Sequence, residues 1–376
     1  MTRKLKVLIF IDWFYPAYKA GGPVKSVFNI VSVLKDSHEI RIITSAYDLD
    51  GAAVNQVYDQ LVEQKGYAII YLTKGNQKAE TVKALVEEYM PDLIYLNSVF
   101  SINFAILPLF WFKAKFKTII APRGMLGEGA LKIKPLKKRL FLFIGKQFLF
   151  YEKLIWHAST DLEAKEIRKA ISRKSNVFIA QNLSSPVANR SQLNAKKEPG
   201  GVNLVFLSRI SEKKNLLFLV EMLSRHPGVN VTLDIYGPIE DTGYWGKCNK
   251  WVVQDQRIKY VGVVQPNQIT EVLQQYHFSV LPTMHENYGH SIAESITSLV
   301  PVLVSKNTPW LNLLEYNIGY DLELDEMVWL NCMHKLISMN QEDYNKAMTS
   351  CKTFAQKNIL SNEIIQQNQK LFSLEY

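Results

Sequence analysis

Short apolar runs of strand length, most of them followed by a helical pattern, recur along this chain, and that alternation restricts it to few folds. Runs at 6–12, 40–44, 68–72, 93–96, 118–120 and 177–180 read as strands, with helical patterns at 78–90 and 101–114 among them. Such alternation argues a doubly wound parallel sheet. A second series starts at 202–207 and continues at 231–235, 258–261, 278–281 and 300–304. At 376 residues the chain is too long for one core and fits two domains. Residues 184–200, rich in Ser, Asn, Lys, Pro and Gly without an apolar period, read as the linker between a domain at 1–183 and another at 201–360.

In an open α/β sheet, ligands bind at the carboxyl ends of the strands. Four loops at that edge carry chemistry. After the first strand, Gly21 and Gly22 open a helix with Pro23 in its first turn, a form suited to cradling a phosphate, although a plain tight turn accounts for it as well. After the fifth strand, Arg123 sits among Pro122, Gly124, Gly127 and Gly129, where its donor fork suits a phosphate or carboxylate; a surface turn is the alternative. Arg209 and Lys214 bracket the loop between strand 202–207 and the next helix, so two cations stand beside a helix N-terminus.

The fourth loop follows strand 278–281. Glu286 lies in it, a helix starts near Gly289 and His290, and Glu294 stands one turn into that helix, which aims backbone N–H groups at the loop. Spacing alone proves nothing, because Glu80/Glu88 and Glu315/Glu323 have the same separation. A loop acid and a solvated helix acid explain the pair equally well until context is added. Here the first acid follows a buried strand, and the second rises from the same loop.

The segment resembles the E-x7-E signature of family 4 nucleotide-sugar glycosyltransferases, which have the two-domain GT-B fold. It matches in Pro282-Thr283, in Tyr288-Gly289 after Glu286, in Glu294 on a helix, and in the closing Pro301 to Ser305. It departs at Ser298-Leu299-Val300, where the family usually has a small residue and Gly, and a looser helix-to-strand turn is expected. Arg209 and Lys214 resemble the family's Arg-x4-Lys diphosphate clamp. The Gly21-Gly22 loop, the loop of Arg123, and Trp156-His157-Ala158-Ser159 also resemble family segments. His157 reads as structural, and Ser159 or Thr160 as the cap of the helix through Ile171.

The resemblance implies two Rossmann-like domains with a cleft between them, the helix at 361–376 packing back on the first. It implies transfer of a sugar from a nucleoside diphosphate sugar to an acceptor hydroxyl, with retention of configuration. Arg209, Lys214, Gly21, Gly22 and the N–H groups near Gly289, His290 and Ser291 would hold the diphosphate. Glu294 would bind the ribose, Glu286 the donor sugar, and backbone near Gly262 the base. Fixed cations can neutralise the leaving group, so no cofactor and no metal is expected. Removing Arg209 and Lys214 is expected to abolish turnover with stability nearly unchanged. A sugar-nucleotide epimerase of the same fold, or a non-catalytic sugar-binding protein, is the alternative.

The net charge of +9 is dispersed except at 132–153, where Lys132, Lys134, Lys137, Lys138, Arg139, Lys146 and Lys153 mix with bulky apolar residues. Dispersed charge argues against nucleic acid as a partner. The basic segment fits either a packed helix with a solvated face or a peripheral contact with an anionic membrane. Cys248, Cys332 and Cys351 are isolated, so neither a disulfide framework nor a zinc site is indicated. The first apolar run is too short for a signal peptide and the longest one contains Pro108, so a cytoplasmic protein is expected. A lipid-linked glycan from cell-surface polysaccharide synthesis would suit as acceptor.

Overall fold

The computed structural model describes residues 3–54, 57–127, 130–131, 135–148, 154–189 and 195–373. Lys132, Lys134, Lys153 and Gly129, named above, lie outside them, as do 190–194. The chain divides into two compact units, residues 1–183 with 362–376, and residues 184–361.

In the first unit the elements run β1 (Leu5–Phe10), α1 (Gly22–Leu34), β2 (His38–Ser45), β3 (Leu61–Gln64), β4 (Tyr67–Leu72), α2 (Ala79–Tyr89) and β5 (Leu93–Leu96). They continue through α3 (Leu107–Phe112), β6 (Lys117–Ile120), α4 (Pro135–Phe148), β7 (Ile155–Ala158), α5 (Asp161–Ala170) and β8 (Asn176–Ile179). The strands form one sheet in the order β3-β4-β2-β1-β5-β6-β7-β8, parallel except for β3, which pairs antiparallel with β4. Side chains of β1 alternate between two cores: Leu8 and Phe10 join one, Val7 and Ile9 the other. Period-two burial on both faces is what helices on both sides of a parallel sheet require.

In the second unit the order is β9 (Val202–Leu207), α6 (Leu216–Arg225), β10 (Val231–Tyr236), α7 (Thr242–Val252), β11 (Ile258–Gly262), α8 (Ile269–Leu273) and β12 (Phe278–Leu281). There follow α9 (His290–Thr297), β13 (Val302–Ser305), β14 (Gly319–Leu322), α10 (Glu326–Ser338) and α11 (Gln341–Phe354). Its sheet is parallel throughout, in the order β11-β10-β9-β12-β13-β14. The strand order reverses between β9 and β12, the topological switch point where ligands of such sheets bind. Residues read as a linker run along this unit: Ala188 N donates to Thr297 O, and the buried Lys197 donates from Nζ to Glu198 O and Met339 O. The final helix, α12 (Asn362–Leu371), belongs to the first unit, where Ile364, Leu371 and Phe372 join the core of Val7 and Ile9.

Several local expectations change. β3 and β14 have no counterpart in the apolar pattern, being short and partly exposed edge strands. Between β11 and β12 the chain forms only a 3-10 turn at Pro266–Gln268 and the short α8. The strand expected at 300–304 begins only at Val302. Val300 instead closes α9, its N–H reaching Ser295 O while Leu299 N–H reaches Ile296 O, the paired bonds of a Schellman turn. The turn is therefore tight rather than loosened. Leu299 makes it at φ 65, the left-handed conformation where glycine is usual. Being 5% exposed, Leu299 offsets the backbone cost by burial.

Candidate functional site

The switch point of the second unit is assembled by backbone before any charged side chain is placed. Ser208 N donates to Tyr236 O and Ile210 N to Pro238 O, so the loop after β9 is laced to the end of β10. Gly237 makes that possible: a Cβ there would stand 1.9 Å from Ser208 O. On the other side, Lys213 O accepts from Thr283 Oγ1 at 2.9 Å and from Met284 N at 2.8 Å. Glu286 N donates to Asn307 O at 2.9 Å. The loop after β9 and the loop after β12 are thus stapled together.

That stapling brings the Lys214 ammonium onto the Glu286 carboxylate. Their side chains are only 12% and 9% exposed, so the pair is largely removed from water. Burial would raise the Glu286 carboxyl, but Lys214 and Lys213 outweigh it and hold the group below its ordinary value. His285, beside it, is lowered by burial and then by Lys213, which keeps the ring neutral at neutral pH; its Nε2 is buried without a hydrogen-bond partner.

Gly289, at φ 81, caps α9 with no side-chain bond, and a Cβ there would meet Ile292 at 2.9 Å. His290 and Ser291 begin the helix, and Glu294 is buried within it rather than solvated. Arg209 closes on Glu240 at 2.8 Å, a half-exposed pair. Gly262 ends β11 at φ 117, its carbonyl accepting from Gly237 N. Arg209, Lys214, Gly262, Glu286, Gly289, His290, Ser291 and Glu294 therefore all lie at the carboxyl ends of one sheet or just beyond. Lys214 and Glu286 are joined directly, whereas Arg209 pairs with an acid outside the expected set.

Gly21, Gly22 and Arg123 stand at the same edge of the first unit's sheet. Gly21 caps α1 at φ 72, and Gly22 is its first residue. Arg123, at φ 54, does not spread its fork on the surface. Its Nε donates to Asn97 Oδ1 (2.8 Å), its Nη1 to Asn182 Oδ1 (2.6 Å) and its Nη2 to Tyr95 OH (2.6 Å). Tyr95 OH in turn meets His157 Nδ1 at 2.8 Å, and His157 Nε2 meets Ala180 O at 2.9 Å. A carbonyl only accepts, so Nε2 carries the proton, Nδ1 accepts from Tyr95, and every hydrogen bond runs one way. Burial, then Arg123, pushes His157 down to about 3. His157 is structural, as read, and Thr160 rather than Ser159 caps α5.

Sequence reading missed several residues here. Glu163, 1% exposed, accepts from Gly124 N, Ser159 N and Ser159 Oγ, tying the Arg123 loop to α5. The Thr160-x-x-Glu163 spacing of a capping box was the available signal. Asp12, two residues past β1, is raised by burial and accepts from Ser101 Oγ at 2.6 Å. Lys25, in the first turn of α1, is lowered by burial to about 8. Among the described residues no cluster of three or more His, Cys, Asp or Glu is placed to hold a metal ion.

Residues 201–315 match the family described as Glycosyl transferases group 1. A sequence search of curated proteins finds no match. Among solved structures, the chain superposes on sucrose-phosphate synthase from Thermosynechococcus elongatus with a TM-score of 0.74 at 14% identity, covering 98% of both chains. HepE of Anabaena, solved with UDP and glucose, gives a TM-score of 0.70 at 14% identity and 98% coverage of both. WaaG, a glycosyltransferase involved in lipopolysaccharide biosynthesis, gives 0.67 at 12% identity and 98% coverage of both. These identities establish shared fold. Residues 201–315 are therefore similar to the group 1 glycosyltransferases, and the chain as a whole has the GT-B fold.

Proposed function

We propose that the chain transfers a sugar from a nucleoside diphosphate sugar to an acceptor hydroxyl, with retention of configuration and without a metal. The observation that carries this reading is the buried Lys214–Glu286 pair at the switch point, beside the α9 N-terminus. Breaking a sugar–phosphate bond builds negative charge on the departing diphosphate, and preorganised cations and backbone donors stabilise it best where water is scarce. Lys214, Arg209 and the N–H groups of His290 and Ser291 are of that kind. In this reading Glu286 meets sugar hydroxyls and Glu294 the ribose. Arg123, fixed by neutral acceptors, retains its full charge at the ligand edge of the first unit.

For the acceptor we favour a lipid-linked glycan of cell-surface polysaccharide synthesis. On α4, Leu136, Leu140 and Phe143 are 82%, 61% and 63% exposed, and their spacing puts them on one stripe. Exposed Lys137 and Lys146 lie on the same helix. An apolar stripe with flanking cations suits an anionic lipid surface. Among the described residues no helix is long and apolar enough to cross a membrane.

The test is a panel of nucleotide sugars incubated with lipid-linked acceptors, with EDTA present and absent. Product that requires both substrates and survives EDTA supports the reading. Conversion of donor without acceptor would instead favour an epimerase. Flotation with anionic vesicles, lost when Leu136, Leu140 and Phe143 become Ser, tests the lipid contact.

A further inference from the structure

We infer that Glu286 sets the discrimination between a nucleotide sugar and the bare nucleoside diphosphate, by occupying Lys214 until a ligand supplies a replacement partner for both. This deepens the donor-site reading above and rests on it.

Backbone fixes the pair. The Lys213 carbonyl is bound by Thr283 Oγ1 and Met284 N, and Glu286 N is bound to Asn307 O, so neither loop can withdraw its charge without breaking these bonds. Both side chains are nearly dry, which makes an unmatched charge at either end costly. A diphosphate arriving at Lys214 therefore meets a cation already engaged by an anion.

The two ligands differ in what they return. A nucleotide sugar brings hydroxyls that donate to the Glu286 carboxylate, so as Lys214 turns to phosphate the acid regains partners. The bare diphosphate brings none and adds negative charge beside a buried carboxylate. Like charges sharing a poorly solvated site repel strongly. Glu286 thus favours intact donor over spent product and speeds product release. The nearby cations Lys213 and Lys214 and the neutral His285 temper this repulsion but offer the product no hydroxyl.

The experiment is calorimetric titration of UDP, GDP and ADP into the full chain, following the one that binds tightest. In E286Q the acid keeps its shape and loses its charge, and product binding should tighten about tenfold. Glu286→Asp withdraws the charge by one methylene and should tighten it by about threefold, which secures the test should E286Q fold poorly. In a K214M background the competition for the cation is gone and only the repulsion remains, so E286Q should tighten product binding by clearly less than it does in the wild type. Unchanged or weaker binding in both Glu286 variants overturns the inference, as does an equal gain without Lys214. Failure of the wild type to bind any of the three diphosphates is a separate result, and it overturns the donor-site reading itself.

Discussion

The two units hold their cations in opposite ways, each at the carboxyl edge of its own sheet. In the second unit, Lys214 is neutralised by Glu286 and Arg209 by Glu240, so its cations are held by acids and must change partner to meet an anionic ligand. In the first, Arg123 is held only by the neutral oxygens of Asn97, Asn182 and Tyr95, and its charge stays uncompensated by those contacts. A cation set by neutral acceptors is rigid and ready. One paired with a buried acid is switchable.

The sharpest way to break the contrast is to remove the exchanging cations. Arg209→Ala with Lys214→Ala should lower turnover by about 10²- to 10⁴-fold, as two charge-assisted contacts of ~1.5–3 kcal/mol each are lost. Near-normal steady-state rates would refute their role. Sequence alone suggested that stability would stay nearly unchanged, and the buried pair revises this. Lys214→Ala strands Glu286 and should destabilise by about 3 kcal/mol, whereas Arg209→Ala, with a half-exposed partner, should stay within about 0.5 kcal/mol. Urea unfolding of the two single variants measures the difference.

A smaller effect tests the first unit. His157 is about 3 in the folded chain and near its ordinary value when unfolded, so between those values the unfolded chain binds more protons. Its contribution to stability is present at pH 7 and is lost as pH falls from about 6.5 towards 3. Between pH 7 and 5 the wild type should lose about 2 kcal/mol relative to His157→Gln. Parallel pH profiles would show that the ring is not held neutral by its surroundings.

The smallest effect lies in the turn after α9. Leu299→Gly removes a buried side chain but relieves a left-handed φ, and burial is the larger of the two, so the variant should be less stable than wild type. It should nonetheless exceed Leu299→Ala by about 1 kcal/mol, the reverse of the ordinary helix ranking. Thermal unfolding in which the Ala variant is the more stable would remove the strain from the account.

Much of the fold was readable because buried parallel strands are apolar throughout. The runs at 93–96, 202–207 and 278–281 coincide with β5, β9 and β12 for that reason. β3, with Glu63 and Gln64 on a sheet edge, carries no such signal. The site residues were legible as separate cations and acids at strand ends. Their pairing was not, because Lys214 and Glu286 lie far apart in sequence and meet only through the adjacency of β9 and β12. Asn97 and Asn182, lone neutral residues, gave no warning that they fix Arg123. Leu299 was noticed as a departure, but only backbone geometry shows that the turn remains closed.

The place where a nucleoside diphosphate settles decides the role of the Lys214–Glu286 pair, and a crystal structure of the complex reads it directly. The expected result is diphosphate oxygens within hydrogen-bond reach of the Lys214 ammonium and of the first N–H groups of α9, with Glu286 released from Lys214. A nucleotide bound elsewhere, with Lys214 still resting on Glu286, would contradict it.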